Sequence, residues 1–283
     1  MPVREFTDAH IKKTPNHSFM VLSAARKAGK SHLCSHIVRC LGHRFGAAFV
    51  CSTTSKLQNA FPFIDQKNHY DPNTDGSSIE EYISTILKFQ ADRLKANKPT
   101  SQILLICDDL FTQSSSGPGR FSKALSRLAA TGRHLKIFTI LITQRWASLS
   151  PSIRSQATDW ISFRPRSSTE RTMLTQQFLS RESGSARESR QRAGSLMAEI
   201  FDGRDSEYKA MWIRSDERSS NLDDIVHWCR APEKLKSWTM KLIKIHDDKI
   251  ADEEEGKDEK DEEEEEVCYC MYKGGAIALL RDF

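Results

Sequence analysis

The sequence predicts a three-layer α/β fold built on a mainly parallel central sheet, and three observations carry that prediction. Apolar runs such as ILLIC (103–107) and KIFTILIT (136–143) are too continuous for strands with one wet face, so both faces must be covered. Segments with helical spacing separate these runs. Alternation of that kind closes through right-handed crossovers into a parallel sheet with helices on both sides, and 283 residues suffice for a large core.

Taken in order, HSFMVLSA (17–24) predicts a first strand running into a glycine-containing loop. Leu33, Cys34, Ile37, Val38 and Leu41 then recur at helical spacing. AAFVCS (47–52) predicts a second strand, followed by a polar, proline-containing stretch to about residue 77. Ile79, Tyr82, Ile83, Ile86, Leu87 and Leu94 mark one helix face, with serines before it and Glu80 and Glu81 in its first turn. After the 103–107 strand, TQSSSGPG (112–119) reads as a flexible loop and 120–131 as a helix closed by Gly132. The 136–143 strand follows, and TDWISF (158–163) predicts a fifth. Past Arg164 the pattern weakens. Thr169–Leu179 reads as helical, 181–195 as a polar basic loop or helix surface, and EYKAMWIR (207–214) as a later strand. No internal repeat is visible.

Composition narrows the function classes. Only 38% of residues are apolar, and no run approaches the roughly 18 residues of a membrane span, so a soluble protein is expected. The segment MPVREFTDAHIKK lacks the apolar stretch of a secretory signal, which points to an intracellular setting and reduced thiols. The seven cysteines show no metal-ligand spacing, and Cys34, Cys40, Cys51 and Cys107 fall in apolar patterns as core thiols. Charge divides the chain. Residues 247–266 hold 14 acids against 3 lysines, a net −11, and the last 17 residues add +1; of the +4 total this leaves +14 on residues 1–246. A basic body of that size suits contact with a polyanion. From about Asp247 the composition cannot bury a core, which predicts a folded domain over 1–246 and a disordered acidic tail over 247–283.

The chemistry concentrates at three strand ends. Ala24–Ser31, AARKAGKS, matches the phosphate-binding pattern GxxxxGK[ST] except at its first position, where alanine replaces glycine. Between a strand and a helix, Ala28, Gly29, Lys30, Ser31 and His32 would turn backbone N–H groups toward one anion. Lys30 would reach the β and γ phosphates of ATP, and Ser31 would ligate Mg²⁺. Ala24 serves there if its φ stays negative, or if strain of about 1 kcal/mol is tolerated. In ILLICDDL two carboxylates end a buried strand: Asp108 suits the Mg²⁺ shell and Asp109 the base that polarises attacking water. Gln144 ends the next strand, ILITQ, and would sense the γ phosphate and orient that water. A lone GKS, DD or strand-end glutamine is common in ordinary turns; their conjunction over this spacing is not.

TGRHLKIFTILITQRWASLSPSIRSQATDWISF (131–163) resembles the viral genome-packaging ATPases of the poxvirus and large DNA virus type, a branch of the FtsK/HerA superfamily. The matching residues are Arg133 and His134 before the glutamine-bearing strand, Thr143 and Gln144 at its end, then Leu149, Pro151, Arg154 and Phe163. Ser52 to Thr54 match a Ser-x-Thr after the second strand. Gln156 stands where that pattern has asparagine, and Ala24 where it has glycine. The likeness spans about residues 15 to 215. It implies a RecA/FtsK-like P-loop NTPase fold and a homo-oligomeric ring, with a hexamer expected, that uses ATP to draw double-stranded DNA into a preformed capsid. A capsid protein would then be a partner, and the host cytoplasm or nucleus the site of assembly. The resemblance makes Arg133 an arginine finger reaching a neighbouring subunit's γ phosphate, with Arg154 the competing candidate. Arg181, Arg187, Arg190 and Arg192 form a basic stretch that could contact DNA. A related helicase, or a non-hydrolysing DNA-binding scaffold of the same descent, would share these features; a nuclease-bearing packaging enzyme would need more ordered length after Phe163.

Overall fold

The computed structural model describes residues 2–75, 78–110, 119–144, 149–179, 185–203, 205–215, 219, 221–234 and 237–242. The acidic tail, the 112–118 loop and Arg181 lie outside the described residues. In chain order, β1 (Arg4–Glu5) and α1 (Asp8–Lys12) precede β2 (Phe19–Ser23), which runs through the glycine-containing loop into α2 (Lys30–Leu41). Next come β3 (Phe45–Ser52), the short α3 (Ser55–Gln58), β4 (His69–Tyr70) and α4 (Ile79–Lys95). They lead to β5 (Gln102–Asp108), α5 (Gly119–Thr131), β6 (Ile137–Thr143), α6 (Pro151–Gln156) and β7 (Asp159–Phe163). The last group is α7 (Ser168–Leu174), continued by a wider turn over Thr175–Leu179, then α8 (Ala186–Phe201), β8 (Lys209–Arg214), α9 (Leu222–Ile225) and β9 (Val226–Arg230).

Helix starts follow from local chemistry. Ser78 caps α4 by accepting from the Glu81 N–H at 3.1 Å, and Glu80 and Glu81 face the positive end of the helix. The ambiguous 181–195 stretch is helical from residue 186 because Ser185 and Glu188 form a reciprocal capping box. Ala193, Leu196 and Ile200 then bury one face of α8, leaving the arginines outward.

The nine strands form one sheet in the order β1-β9-β8-β7-β2-β6-β5-β3-β4. Pairing is parallel from β7 to β4, while β8 runs antiparallel to both β7 and β9. Successive side chains point to opposite faces, so the continuous apolar strands feed two cores. Met20 and Leu22 of β2 meet Leu33, Ile37 and Val38 of α2 on one side. Val21 of β2 and Leu141 of β6 share the other side with Ile83 and Ile86 of α4, Leu125 of α5 and Leu196 of α8. This is the expected three-layer fold, with β6 between the loop-bearing β2 and the acid-bearing β5. The four core cysteines are buried and free, as is Cys229. Among the described residues no helix is long and apolar enough to cross a membrane.

Candidate functional site

Five parallel strands end at one edge of the sheet, with a small polar or acidic residue last in β2, β3, β5 and β6 and next to last in β7. Register places Ser52 beside Asp108, and Ser23 between Thr143 and Ser162, so this buried row crosses β3, β5, β6, β2 and β7. The loop after β2 starts at Ala24, which is buried and donates its N–H to the Thr143 carbonyl at 3.1 Å. Left-handed backbone falls on Lys27, at φ 63°, and Gly29, at φ 97°; Ala24 is not among the positive-φ residues. Alanine therefore sits at the first motif position without backbone strain, whereas glycine is required at 29. A β-carbon there would stand 3.1 Å from the Ala231 β-carbon and 3.2 Å from Tyr208 Cδ1. Gly29 is the N-cap of α2, so the first N–H groups of the helix, those of Lys30, Ser31 and His32, have no partner within it. That is a ready anion cradle.

Lys30 leans from this cradle toward the acids. Its Nζ lies 3.8 Å from Asp108 Oδ1 and 3.6 Å from Asp109 Oδ2. Asp109 leaves β5 in the left-handed region, φ 54°, with its N–H on the Ile142 carbonyl at 3.0 Å. Gln144 Nε2 donates to Asp109 Oδ2. Lys30, Asp108, Asp109 and Gln144, chosen on sequence from three separate motifs, thus form one cluster at the ends of β2, β5 and β6. Asp108 is 5% exposed, and loss of water pushes its carboxyl up to about 6; Lys30 opposes that shift and Asp109 adds to it.

These residues fit Mg²⁺. Asp108 Oδ1 is buried and accepts no hydrogen bond, a costly state for a carboxylate oxygen. A hard cation that keeps several waters and takes one carboxylate together with phosphate oxygens suits such an atom, with the Ser31 hydroxyl as the second protein ligand.

The other sequence candidates are placed elsewhere. The His32 ring donates through Nδ1 to the Pro232 carbonyl at 3.0 Å, so only its backbone N–H is turned to the cradle's purpose. Arg133 is exposed in the turn before β6, its Nε donating to His134 Nε2 at 3.3 Å. Seven strand residues separate that turn from Gln144, a span of about 20 Å, so Arg133 cannot serve its own subunit's site. Arg154 is half-buried on α6. Arg192 is paired with Asp223 at 2.5 Å, while Arg190 lines a cavity of about 520 Å³ between α7 and α8 together with Arg164 and Arg171. Sequence reasoning missed Tyr208, Ala231 and Pro232, which cover the loop from the β8–β9 side; no motif marks them, and only a backbone turn brings them there.

Comparison with solved structures bears on this architecture. The conjugation coupling protein TcpA of pCW3, solved as a monomer with ATPγS, is 13% identical over 76% of this chain and 60% of its own, with a TM-score of 0.51. The chain has a P-loop NTPase fold. The genome packaging NTPase B204 of Sulfolobus turreted icosahedral virus 2, in complex with AMPPCP, is 15% identical over 76% of this chain and 98% of its own, at a TM-score of 0.48. ATPases 2 and 3 of EssC from Geobacillus thermodenitrificans are 12% identical over 71% and 38%, also at 0.48. No family model matches the chain, and no curated protein matches its sequence.

Proposed function

We propose that the chain is an ATP-hydrolysing motor that moves double-stranded DNA and packages a viral genome into a preformed capsid. The observation that carries this reading is the convergence of Lys30, Asp108, Asp109 and Gln144 beside the open N-terminus of α2. A triphosphate settles on the N–H groups of Gly29 to His32, and Lys30 turns from the two carboxylates to its β and γ oxygens. Asp108 and Ser31 would hold Mg²⁺, which would supply charge neutralisation when bound. Asp109, positioned by the Gln144 amide, accepts the proton of the attacking water, and Gln144 orients that water. The packaging role rests on the sequence resemblance around Arg133 to Phe163, which also supports a homo-oligomeric ring, a hexamer, with Arg133 acting on the next subunit's nucleotide.

A translocating motor grips phosphates rather than base edges, because it must treat all sequences alike. Arg171, Arg190 and Arg164, the last paired with Asp202 at 2.8 Å, line one cavity and would supply such a contact. The decisive experiment is ATP turnover by the full chain with and without double-stranded DNA. Turnover that rises with DNA of any sequence supports the reading. A protein that binds no ATP, or binds and never hydrolyses it in either condition, overturns it.

A further inference from the structure

We propose that Tyr208 is the base-stacking residue of this site and that it selects purine nucleotides. The inference rests on the nucleotide reading above. Asp109 and Gln144 fix the γ end of a triphosphate on the β5–β6 flank of β2. The phosphate chain then crosses the loop amides, and its nucleoside end emerges on the opposite flank, toward β7, β8 and β9.

Tyr208 stands on that flank, in the turn that opens β8. Its Cδ1 lies 3.2 Å from where a Gly29 β-carbon would be, so the ring rests against the phosphate loop itself. The residue holds a left-handed backbone, φ 59°, which a bulky aromatic adopts only where its surroundings impose it. The surroundings do so: Ala231 donates its N–H to the Tyr208 carbonyl at 3.0 Å, and Arg230 clamps the same turn through Asp205 at 2.6 Å. His32 ties Pro232 to the start of α2 at 3.0 Å. A strained backbone, held by three contacts, thus presents a tyrosine that remains 36% exposed. With one part of the ring on Gly29 and the rest open, Tyr208 and the half-buried Pro232 offer an apolar shelf for a base, while Ala231 is buried. Recognition on such a ring is by stacking area, which ranks adenine and guanine together above cytosine and uracil.

The test compares ATP with inorganic tripolyphosphate, which carries the same phosphates and no base, by calorimetric titration of the full chain with Mg²⁺. Tyr208→Asn is the main variant, because asparagine tolerates the left-handed backbone and removes the ring. Stacking on one aromatic predicts a loss of about 10-fold to 100-fold in ATP affinity, with tripolyphosphate affinity unchanged, and full recovery in Tyr208→Phe. Wild-type protein should bind ATP and GTP alike and CTP more weakly. Equal losses for ATP and tripolyphosphate would show that the ring only props the loop, and unchanged ATP affinity would place the base elsewhere; either sinks the proposal while leaving the nucleotide site standing. Wild-type protein that binds neither probe removes the phosphate-loop reading and the shelf with it.

Discussion

Asp108 is held where a carboxylate is least at ease, walled from water at the end of β5 with the Lys30 ammonium 3.8 Å away. Burial raises its pKa from the ordinary acidic range to about 6, so between about pH 4 and pH 6 the native state holds a proton that the unfolded chain has released. Stability of the metal-free protein therefore falls as pH rises through that window. Asp108→Asn carries no such proton. Relative to wild type it should gain about 3 kcal/mol between pH 4 and pH 7.5, read from urea unfolding in chelator at both pH values; a difference that does not change with pH would remove the buried-acid account. Asp109 is the contrasting case, because its φ of 54° is one that asparagine also adopts. Asp109→Asn should keep ATP affinity within about threefold and lower turnover by about 100-fold or more, the usual contribution of a general base. Hydrolysis at the wild-type rate would move that role to another residue.

At the scale of elements, what was legible followed from how each strand is buried. β2, β3, β5, β6 and β7 are covered on both faces, so their sequences are unbroken apolar runs, and the motifs at their ends could be placed before any coordinates. β1 and β4 are two residues long and leave no pattern. In β9 only Val226 and Cys229 are fully buried, and the polar His227 and Arg230 break the run. Lys30, Asp108, Asp109 and Gln144 were legible because strand ends carry them; Tyr208 was not, since its place depends on the antiparallel return of β8 and β9. The α7–α8 pair shows both sides of this. A capping box at Ser185 and Glu188 was present in the sequence, but only packing shows that Arg192 is committed to Asp223 while Arg190 joins Arg164 and Arg171. If those three arginines grip phosphates, replacing all three with alanine should reduce the slope of log affinity against log salt by about 2 to 3. DNA titrations at several salt concentrations read this directly, and an unchanged slope would place the DNA contact elsewhere.

At the scale of the whole molecule, the proposed function draws on two opposite edges of the sheet. The nucleotide cluster lies at the carboxyl ends of the parallel strands, and Arg133 lies at the amino end of β6, exposed and on the far side of the fold. In an isolated subunit that arginine would lie too far from the cluster to act on it. In a head-to-tail ring each subunit sets one edge against the other edge of its neighbour, which is the arrangement that would bring Arg133 to the next subunit's γ phosphate. An arginine supplied in this way stabilises transition-state charge and is worth about 10³ or more in rate. Assemblies of Arg133→Ala subunits should therefore bind ATP normally and hydrolyse it slowly, whereas assemblies of Lys30→Ala subunits should not bind it. Mixing the two inactive proteins distinguishes action between subunits from action within one: where an Arg133→Ala subunit with an intact phosphate loop meets the intact arginine of a Lys30→Ala neighbour, a complete site forms and part of the activity returns. Mixed assemblies that form, as read by light scattering, and yet stay inactive would exclude Arg133 as the finger. Recovery with Arg154→Ala in place of Arg133→Ala would assign the role to the half-buried arginine of α6.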